Sequence, residues 1–136
     1  MKVTVDANIL FACLIKDGET RRLWFHPELK LFAPRFIFAE FFKYRKLLEK
    51  KFGSKSGDFG PVLDLVISQV ELVSDSELTP FLPASVFLIN DSKDWLYLAC
   101  ALKEDTILWS NDKGFKKQKR IKTKTTTEMI KEFGIL

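Results

Sequence analysis

Residues 2–15, KVTVDANILFACLI, decide the fold that the sequence predicts. The first four of them, Lys-Val-Thr-Val, have the pattern of a short buried strand, and at Asp6 the spacing of apolar residues changes to that of a helix. The apolar residues that then share one helix face are Ile9, Leu10, Cys13 and Leu14. An acidic residue therefore stands where a buried strand gives way to a helix.

The same alternation continues along the chain. Further strands are predicted at 29–33, 71–73, 106–110 and 121–125, and further helices at 20–25, 35–51, 62–67, 93–104 and 127–133. Residues 53–57 are predicted to form a loop, while 76–89 stay ambiguous because Pro80 and Pro83 interrupt them. Strands and helices that alternate at these lengths predict an α/β fold with a parallel sheet covered on both faces.

Length and composition fit one compact domain over residues 1–136, since 46% of the residues are hydrophobic. The net charge of +4 makes the surface mildly basic, which suits a polyanionic partner. Most of the positive charge lies in residues 43–55 and 113–124. The candidate phosphate-contacting residues there are Lys43, Arg45, Lys46, Lys113, Lys116, Lys117, Lys119 and Arg120, although such charge runs are also common on merely solvated surfaces.

Several classes of site are disfavoured. Cys13 and Cys100 lie in apolar helical patterns far from any CxxC spacing, so we expect reduced core thiols and a cytoplasmic protein. No apolar stretch approaches the ~20 residues needed to span a bilayer, so membrane insertion is not expected. The single histidine, His26, excludes two-histidine ribonuclease chemistry and disfavours a Ser-His-Asp hydrolase.

Two acids directly follow predicted strands. Asp6 follows the first strand and Asp112 follows the strand at 106–110. Because ligands of parallel α/β sheets bind at the carboxyl ends of the strands, both are candidate site residues. The alternative is that each aspartate only caps a helix or forms a turn, which is a common role for this residue type.

Glu40 lies among apolar residues of its helix, with Phe36 and Ile37 before it and Tyr44 and Leu47 after it. A buried carboxylate costs several kcal/mol unless it is paired, protonated or bound to a metal. The alternative, a surface pair with Lys43, is worth only ~0.3 kcal/mol and is too weak to offset such burial. We therefore interpret Glu40 as functional.

Two acids compete at the start of the helix predicted at 93–104. Asp94 lies in its first turn, where the helix dipole favours an acid, and Asp91 lies three residues earlier. We favour Asp94 as a ligand and Asp91 as a cap or supporting residue, but spacing alone does not decide between them. Carboxylates brought together from distant parts of the chain repel one another, and Mg²⁺ or Mn²⁺ is the usual remedy.

Four segments together resemble the motifs of PIN-domain nucleases, in order and in approximate spacing. They are VDANIL with Asp6 and Asn8, FAEFFK with Glu40, NDSKDWLYLACALKED with Asp94, and TILWSNDKGF with Ser110 and Asp112. The resemblance spans nearly the whole chain, although residues 55–85 carry no family motif. It implies a three-layer α/β/α sandwich around a central parallel sheet of four or five strands.

The resemblance also implies a function. It implies a Mg²⁺- or Mn²⁺-dependent endoribonuclease in which Asp6, Glu40, Asp94 and Asp112 are the metal-binding and catalytic acids. Asn8 and Ser110 would give polar support, as would Asp91 if it is not itself the third ligand. Many proteins of this kind are toxins neutralised by an antitoxin protein, and a homodimer is expected by analogy.

Two alternatives remain open at this stage. One is a catalytically silent PIN-like module that binds RNA or a protein. The other is a phospho-receiver signalling domain, although Asp6 is followed by Ala7 and Asn8 rather than by a second acid, and such a domain would not explain Glu40.

Overall fold

Five parallel strands form the central sheet in the computed structural model, which describes residues 1–53 and 56–134. The strands are β1 (Lys2–Val5), β2 (Lys30–Pro34), β3 (Val70–Val73), β4 (Ile107–Trp109) and β5 (Thr123–Lys124). All four neighbouring pairs are parallel, which confirms the predicted sheet.

Helices flank this sheet. They are α1 (Ala7–Ile15), α2 (Glu19–Trp24), α3 (Ile37–Phe52), α4 (Phe59–Ser68), α5 (Asp75–Leu78), α6 (Leu82–Leu88), α7 (Trp95–Glu104) and α8 (Thr126–Phe133). Within the described ranges no helix is both long and apolar enough to cross a membrane. Cys13 of α1 and Cys100 of α7 are buried free thiols, as expected.

The two faces of the sheet carry different helices, because successive side chains of a strand point to opposite sides. Val3 and Val5 of β1 pack in the larger core cluster with α1, and α1 in turn contacts α2, α3 and α4. On the other side, Phe32 of β2 packs with Ala99 and Cys100 of α7. The layers are therefore helix, sheet and helix, as the family resemblance implied.

The element boundaries differ from the predicted ones where side chains intervene. The strand predicted at 121–125 is only two residues long, because the Gln118 amide accepts from the Ile121 N–H at 2.8 Å and donates to the Ile121 carbonyl at 2.7 Å. That turn holds Ile121 outside the sheet. The ambiguous segment at 76–89 resolves into α5, a 3₁₀ turn at Thr79–Phe81 and α6, with Pro80 and Pro83 in first turns.

The loop predicted at 53–57 is only partly described. Ser54 and Lys55 lie outside the described residues, whereas Ser56–Asp58 form a 3₁₀ turn rather than a loop. The helix predicted at 93–104 likewise begins with a 3₁₀ turn at Ser92–Asp94 before α7.

The strand order is β3-β2-β1-β4-β5. The order reverses direction between β1 and β4, and the carboxyl ends of strands at such a switch point form the ligand-binding crevice of open α/β sheets. Phospho-receiver domains have the order 2-1-3-4-5 instead. The receiver hypothesis is therefore wrong, and the crevice is expected where Asp6 leaves β1 and Ser110 leaves β4.

Candidate active site

A cavity of about 540 Å³ opens at this switch point. The four acids predicted as site residues all line it, and they come from four different places in the chain. They are Asp6 after β1, Glu40 in the first turn of α3, Asp94 before α7 and Asp112 after β4. Asn8 and Asp91 also line the cavity. The fold thus brings together acids that are up to 106 residues apart in the chain.

Asp6 is both a helix cap and a cavity residue. Its Oδ1 accepts from the Ile9 N–H at 3.0 Å and caps α1, while its Oδ2 accepts from the Ser110 hydroxyl. Burial, with a smaller contribution from the charges of Asp112 and Glu40, raises the pKa of Asp6 to about 6 against the lowering effect of the two hydrogen bonds. The capping role and the site role are therefore compatible.

Ser110 connects the first strand's acid to the fourth strand's acid. The register pairs Val5 with Trp109, which places Asp6 and Ser110 side by side one residue later. The buried Ser110 Oγ donates to Asp6 and accepts from the Asp112 N–H at 3.0 Å. Asp112 itself is exposed, and its Oδ1 accepts from the Gly114 N–H at 2.9 Å.

Glu40 is half-buried at the cavity wall rather than deeply buried. Its Oε1 accepts a 2.6 Å hydrogen bond from the Tyr97 hydroxyl, and no ion pair with Lys43 occurs among the described residues. The surface-pair alternative is therefore absent from the described part of the chain. Burial and the neighbouring Glu40 carboxylate raise the pKa of Tyr97, so its hydroxyl keeps its proton and acts as the donor.

The two acids before α7 lie in different environments. Asp91 is exposed, and its Oδ1 accepts from the Lys93 N–H at 3.1 Å as the cap of the 3₁₀ turn. Asp94 makes no such capping bond. Burial and then the charges of Asp91 and Asp112 raise the pKa of Asp94 to about 6. Asp94 thus has the environment of a crowded carboxylate, and Asp91 that of a cap.

A family model for the PIN domain matches residues 4–134 of the chain. The chain belongs to the PIN domain family. PIN domains are nucleases, that is, hydrolases of phosphodiester bonds, and they generally use divalent metal ions. The four acids at one sheet edge fit that chemistry.

Two solved structures share this PIN fold. A chain of VapBC2 from Rickettsia felis, crystallised bound to a DNA fragment from their promoter, is 17% identical with a TM-score of 0.69, over 92% of this chain and 98% of that one. PAE2754 from Pyrobaculum aerophilum is 16% identical with a TM-score of 0.65, over 98% of this chain and 90% of that one. At such identities the likeness concerns the fold alone. No curated protein matches the sequence.

The cavity lined by the four acids offers the ligand atoms that a hard divalent cation needs, because carboxylate oxygens are the preferred ligands of Mg²⁺ and Mn²⁺. Burial is the main cause of the raised pKa values of Asp6 and Asp94, and the charges of neighbouring carboxylates raise them further; a cation would relieve that repulsion. In residues 1–53 and 56–134, however, no three acidic, histidine or cysteine side chains are already close enough to form a ready metal cluster. The acids share a cavity but stand apart on its walls.

The basic residues are distributed differently from the prediction. Two lysines line the cavity that were not among the predicted basic residues. They are Lys51 at the end of α3 and Lys93 before α7. Arg45 instead pairs with Glu49 at 2.8 Å, and Lys116 pairs with Glu128. Arg120 lines a separate cavity with Met1 and Lys2, at the amino end of the strands. The predicted Lys43, Lys46, Lys113, Lys117 and Lys119 are exposed and do not line the acidic cavity.

Helical spacing from a predicted acid could have indicated two of the missed residues, Lys51 and Tyr97. Lys51 lies eleven residues after Glu40, which is close to three helical turns and so on the same face. Tyr97 lies three residues after Asp94, about one turn into the helix that Asp94 precedes. The cavity therefore lies where the Glu40 face of α3 meets the Asp94 face of α7.

Proposed function

We propose that this PIN domain is a Mg²⁺- or Mn²⁺-dependent endoribonuclease that hydrolyses RNA phosphodiester bonds. The observation that supports this function best is the single cavity at the switch point of the sheet, into which four elements bring Asp6, Glu40, Asp94 and Asp112. Two of these carboxylates have raised pKa values because they are buried beside other acids. Such perturbed groups in a cleft are typical of catalytic sites.

We assign the roles by environment. Asp6, Asp94 and Asp112 would hold the cation together with Glu40, whose Oε1 is fixed by Tyr97 and which would also orient or deprotonate the attacking water. Ser110 holds Asp6 and the Asp112 backbone together, and Asn8 adds a polar group to the cavity wall. When bound, a divalent cation supplies an activated water and charge relief for the phosphate oxygens.

The substrate strand would be held by lysines. Lys51 and Lys93 at the cavity are the first candidates for contacts to the phosphates that flank the cleaved bond. The exposed Lys43, Lys46, Lys113, Lys117 and Lys119 would act further along the strand. Contacts of this kind position RNA and make binding sensitive to salt, but they do not read sequence.

We also propose that the protein is the toxin of a toxin–antitoxin pair, with an antitoxin protein as partner and a homodimer as its own assembly. The shared fold with a chain of VapBC2 supports this proposal. Expression of the chain in a bacterial host should then arrest growth, and Asp6→Asn should relieve the arrest. Light scattering of the purified chain would show whether it is a dimer.

Cleavage assays test the enzymatic proposal. The protein is incubated with single-stranded RNA, structured RNA and DNA of matched sequence, in Mg²⁺, in Mn²⁺ and in EDTA. We expect internal cleavage of RNA with either cation and none in EDTA. Asp6→Asn and Asp112→Asn should each abolish cleavage while leaving the circular dichroism spectrum unchanged.

Three results would contradict the proposal in different ways. RNA that binds but stays intact under all conditions would instead support the catalytically silent PIN-like module. Cleavage retained by Asp6→Asn and Asp112→Asn would show that the hydrolysis takes place elsewhere or comes from a contaminant. Cleavage of DNA alone would overturn the choice of RNA as substrate.

A further inference from the structure

Tyr97 lies outside the acidic set and holds a site carboxylate through its side chain from the α7 wall. Its hydroxyl donates to Glu40 Oε1 at 2.6 Å, and the two residues are 57 positions apart in the sequence. The side chain is only 3% exposed although it borders the cavity. A buried hydroxyl directed at a carboxylate restricts where that carboxylate can lie.

The ring of Tyr97 is fixed by its neighbours. It packs edge-to-face against Phe36, with ring centroids 6.4 Å apart, and Phe36 immediately precedes α3. The start of α3 and the residue before it therefore both contact Tyr97 of α7, Phe36 through the two rings and Glu40 through the hydrogen bond. Burial, the ring contact and the hydrogen bond thus all place the Tyr97 hydroxyl beside Glu40.

We infer that Tyr97 is a positioning residue that orients Glu40 toward the cation site, leaving Oε2 as the Glu40 oxygen available to the cavity. Hydrogen bonds from outer groups to ligating carboxylates set the orientation of those ligands, and their loss typically costs 10–100-fold in metal affinity. The inference rests on the proposed function, because it assigns Glu40 to the same metal site. It adds to the site a residue that is not one of the four predicted acids.

A hydroxyl deletion tests the inference without emptying the core. Tyr97→Phe keeps the ring and removes only the donor. We expect it to weaken Mn²⁺ binding by about 10-fold, measured by isothermal titration calorimetry on the RNA-free protein. Tyr44→Phe is the matched control, because Tyr44 also lines the cavity and the change also removes a phenol hydroxyl. The described contacts of Tyr44 are an aromatic ring and a lysine rather than a carboxylate. The control variant should leave the Mn²⁺ affinity within about 2-fold of the wild-type value.

A double-mutant cycle separates positioning from general loosening of the structure. If Tyr97 acts through Glu40, then Tyr97→Phe should change Mn²⁺ affinity by less than about 2-fold in a Glu40→Gln background. An equal loss in both backgrounds would overturn the inference, as would a Tyr97→Phe protein that binds Mn²⁺ like the wild type. A wild-type protein that binds no Mn²⁺ overturns it too. A wild-type protein that binds Mn²⁺ but leaves RNA intact overturns the proposed nuclease function alone, and the cycle then still tests Tyr97.

Discussion

Asp6 shows how a single residue can cap a helix while its charge lies in an unfavourable, buried place. Its Oδ1 caps α1, a role worth ~1 kcal/mol in typical proteins. Its charge, however, is buried, with only 6% of the residue exposed, and burial raises its pKa to about 6. At neutral pH the carboxylate is therefore held ionised in a place that disfavours ionisation, which is characteristic of functional rather than structural groups.

We expect Asp6→Asn to abolish RNA cleavage and to make the cation-free protein more stable at pH 7. Asparagine keeps an oxygen for the Ile9 N–H but carries no charge to desolvate. The gain in the free energy of unfolding should be roughly 1–3 kcal/mol, since one unit of pKa shift corresponds to about 1.4 kcal/mol. Urea unfolding in EDTA measures it.

An exposed aspartate provides the comparison for this variant. Asp64 on α4 is exposed, so Asp64→Asn should change stability by less than about 0.5 kcal/mol and leave cleavage intact. A loss of stability in Asp6→Asn would mean that the charge of Asp6 is better compensated by Ser110 than its burial implies.

The sequence predicts some of these residues better than others, for a physical reason. Asp6 and Asp112 are recognisable because a strand followed by an acid is a local pattern, and parallel topology then places both at one sheet edge. Tyr97 shares helical spacing with Asp94, but spacing alone does not show that this helix face lies at the site, and Lys93 has no local mark at all. Their importance depends on which faces of α3 and α7 meet, and tertiary packing decides that. Likewise, only the structure shows that Asp91 makes the cap bond to Lys93 whereas Asp94 does not cap its helix, and the choice of Asp94 as the third ligand stays a prediction.

At the scale of elements, α8 supports the loop that carries Ser110 and Asp112. The Thr126 hydroxyl at the start of α8 accepts from Trp109 Nε1 at 3.0 Å and from Asn111 Nδ2 at 3.1 Å. The Thr126 N–H in turn donates to Asn111 Oδ1 at 2.8 Å. The start of α8 thereby holds Trp109 and Asn111, the residues on either side of Ser110.

We expect Thr126→Val to destabilise the protein by about 1–3 kcal/mol, because the buried Trp109 indole N–H would lose its acceptor. RNA cleavage should fall as well, since Asn111 would be held less firmly next to Asp112. Thr127→Val is the matched control, because Thr127 is exposed on the same helix. Thermal unfolding and initial cleavage rates measure both effects. Equal behaviour of the two variants would argue against a supporting role for α8.

Element boundaries were less predictable than element types. Every strand and helix predicted in the described ranges is present, because periodicity depends on burial of one face. The short β5 departs from the predicted length because the Gln118 side chain satisfies the backbone of Ile121, and periodicity carries no trace of such a bond. The two prolines at 80 and 83 permitted either a loop or short helices, and only packing of Leu78 and Leu82 near α7 selects helices.

At the scale of the whole molecule, the acidic cavity contrasts with the basic net charge. The net charge is +4, yet the cavity at the carboxyl ends of the strands collects the acids, with Lys51 and Lys93 beside them.

We expect Lys51→Ala and Lys93→Ala each to weaken RNA binding and to reduce the slope of log affinity against log salt by about 0.7, as one lost phosphate contact would. Arg120→Ala at the opposite end should change neither quantity. Fluorescence anisotropy over a salt series, in EDTA to prevent cleavage, distinguishes these outcomes.

The acidic cavity also makes the stability of the whole protein depend on pH and on divalent cations. The pKa values of Asp6 and Asp94 are raised to about 6 in the folded protein, so between pH 4 and 6 the folded state binds more protons than the unfolded state. Their contribution to the free energy of unfolding therefore falls as pH rises through that range. Lys116 lowers the pKa of Glu128 to about 2. The contribution of Glu128 to the free energy of unfolding therefore rises with pH, but only below the ordinary pKa of a glutamate.

We therefore expect the melting temperature in EDTA to be higher at pH 5 than at pH 7.5, a difference that should shrink in Asp6→Asn. Mn²⁺ binds the ionised carboxylates, so it should raise the melting temperature more at pH 7.5 than at pH 5. Calcium-free buffers and differential scanning fluorimetry suffice for the measurement. A Mn²⁺ effect of equal size at both pH values, or one that persists in Asp6→Asn, would place the cation away from the buried carboxylates of the cavity.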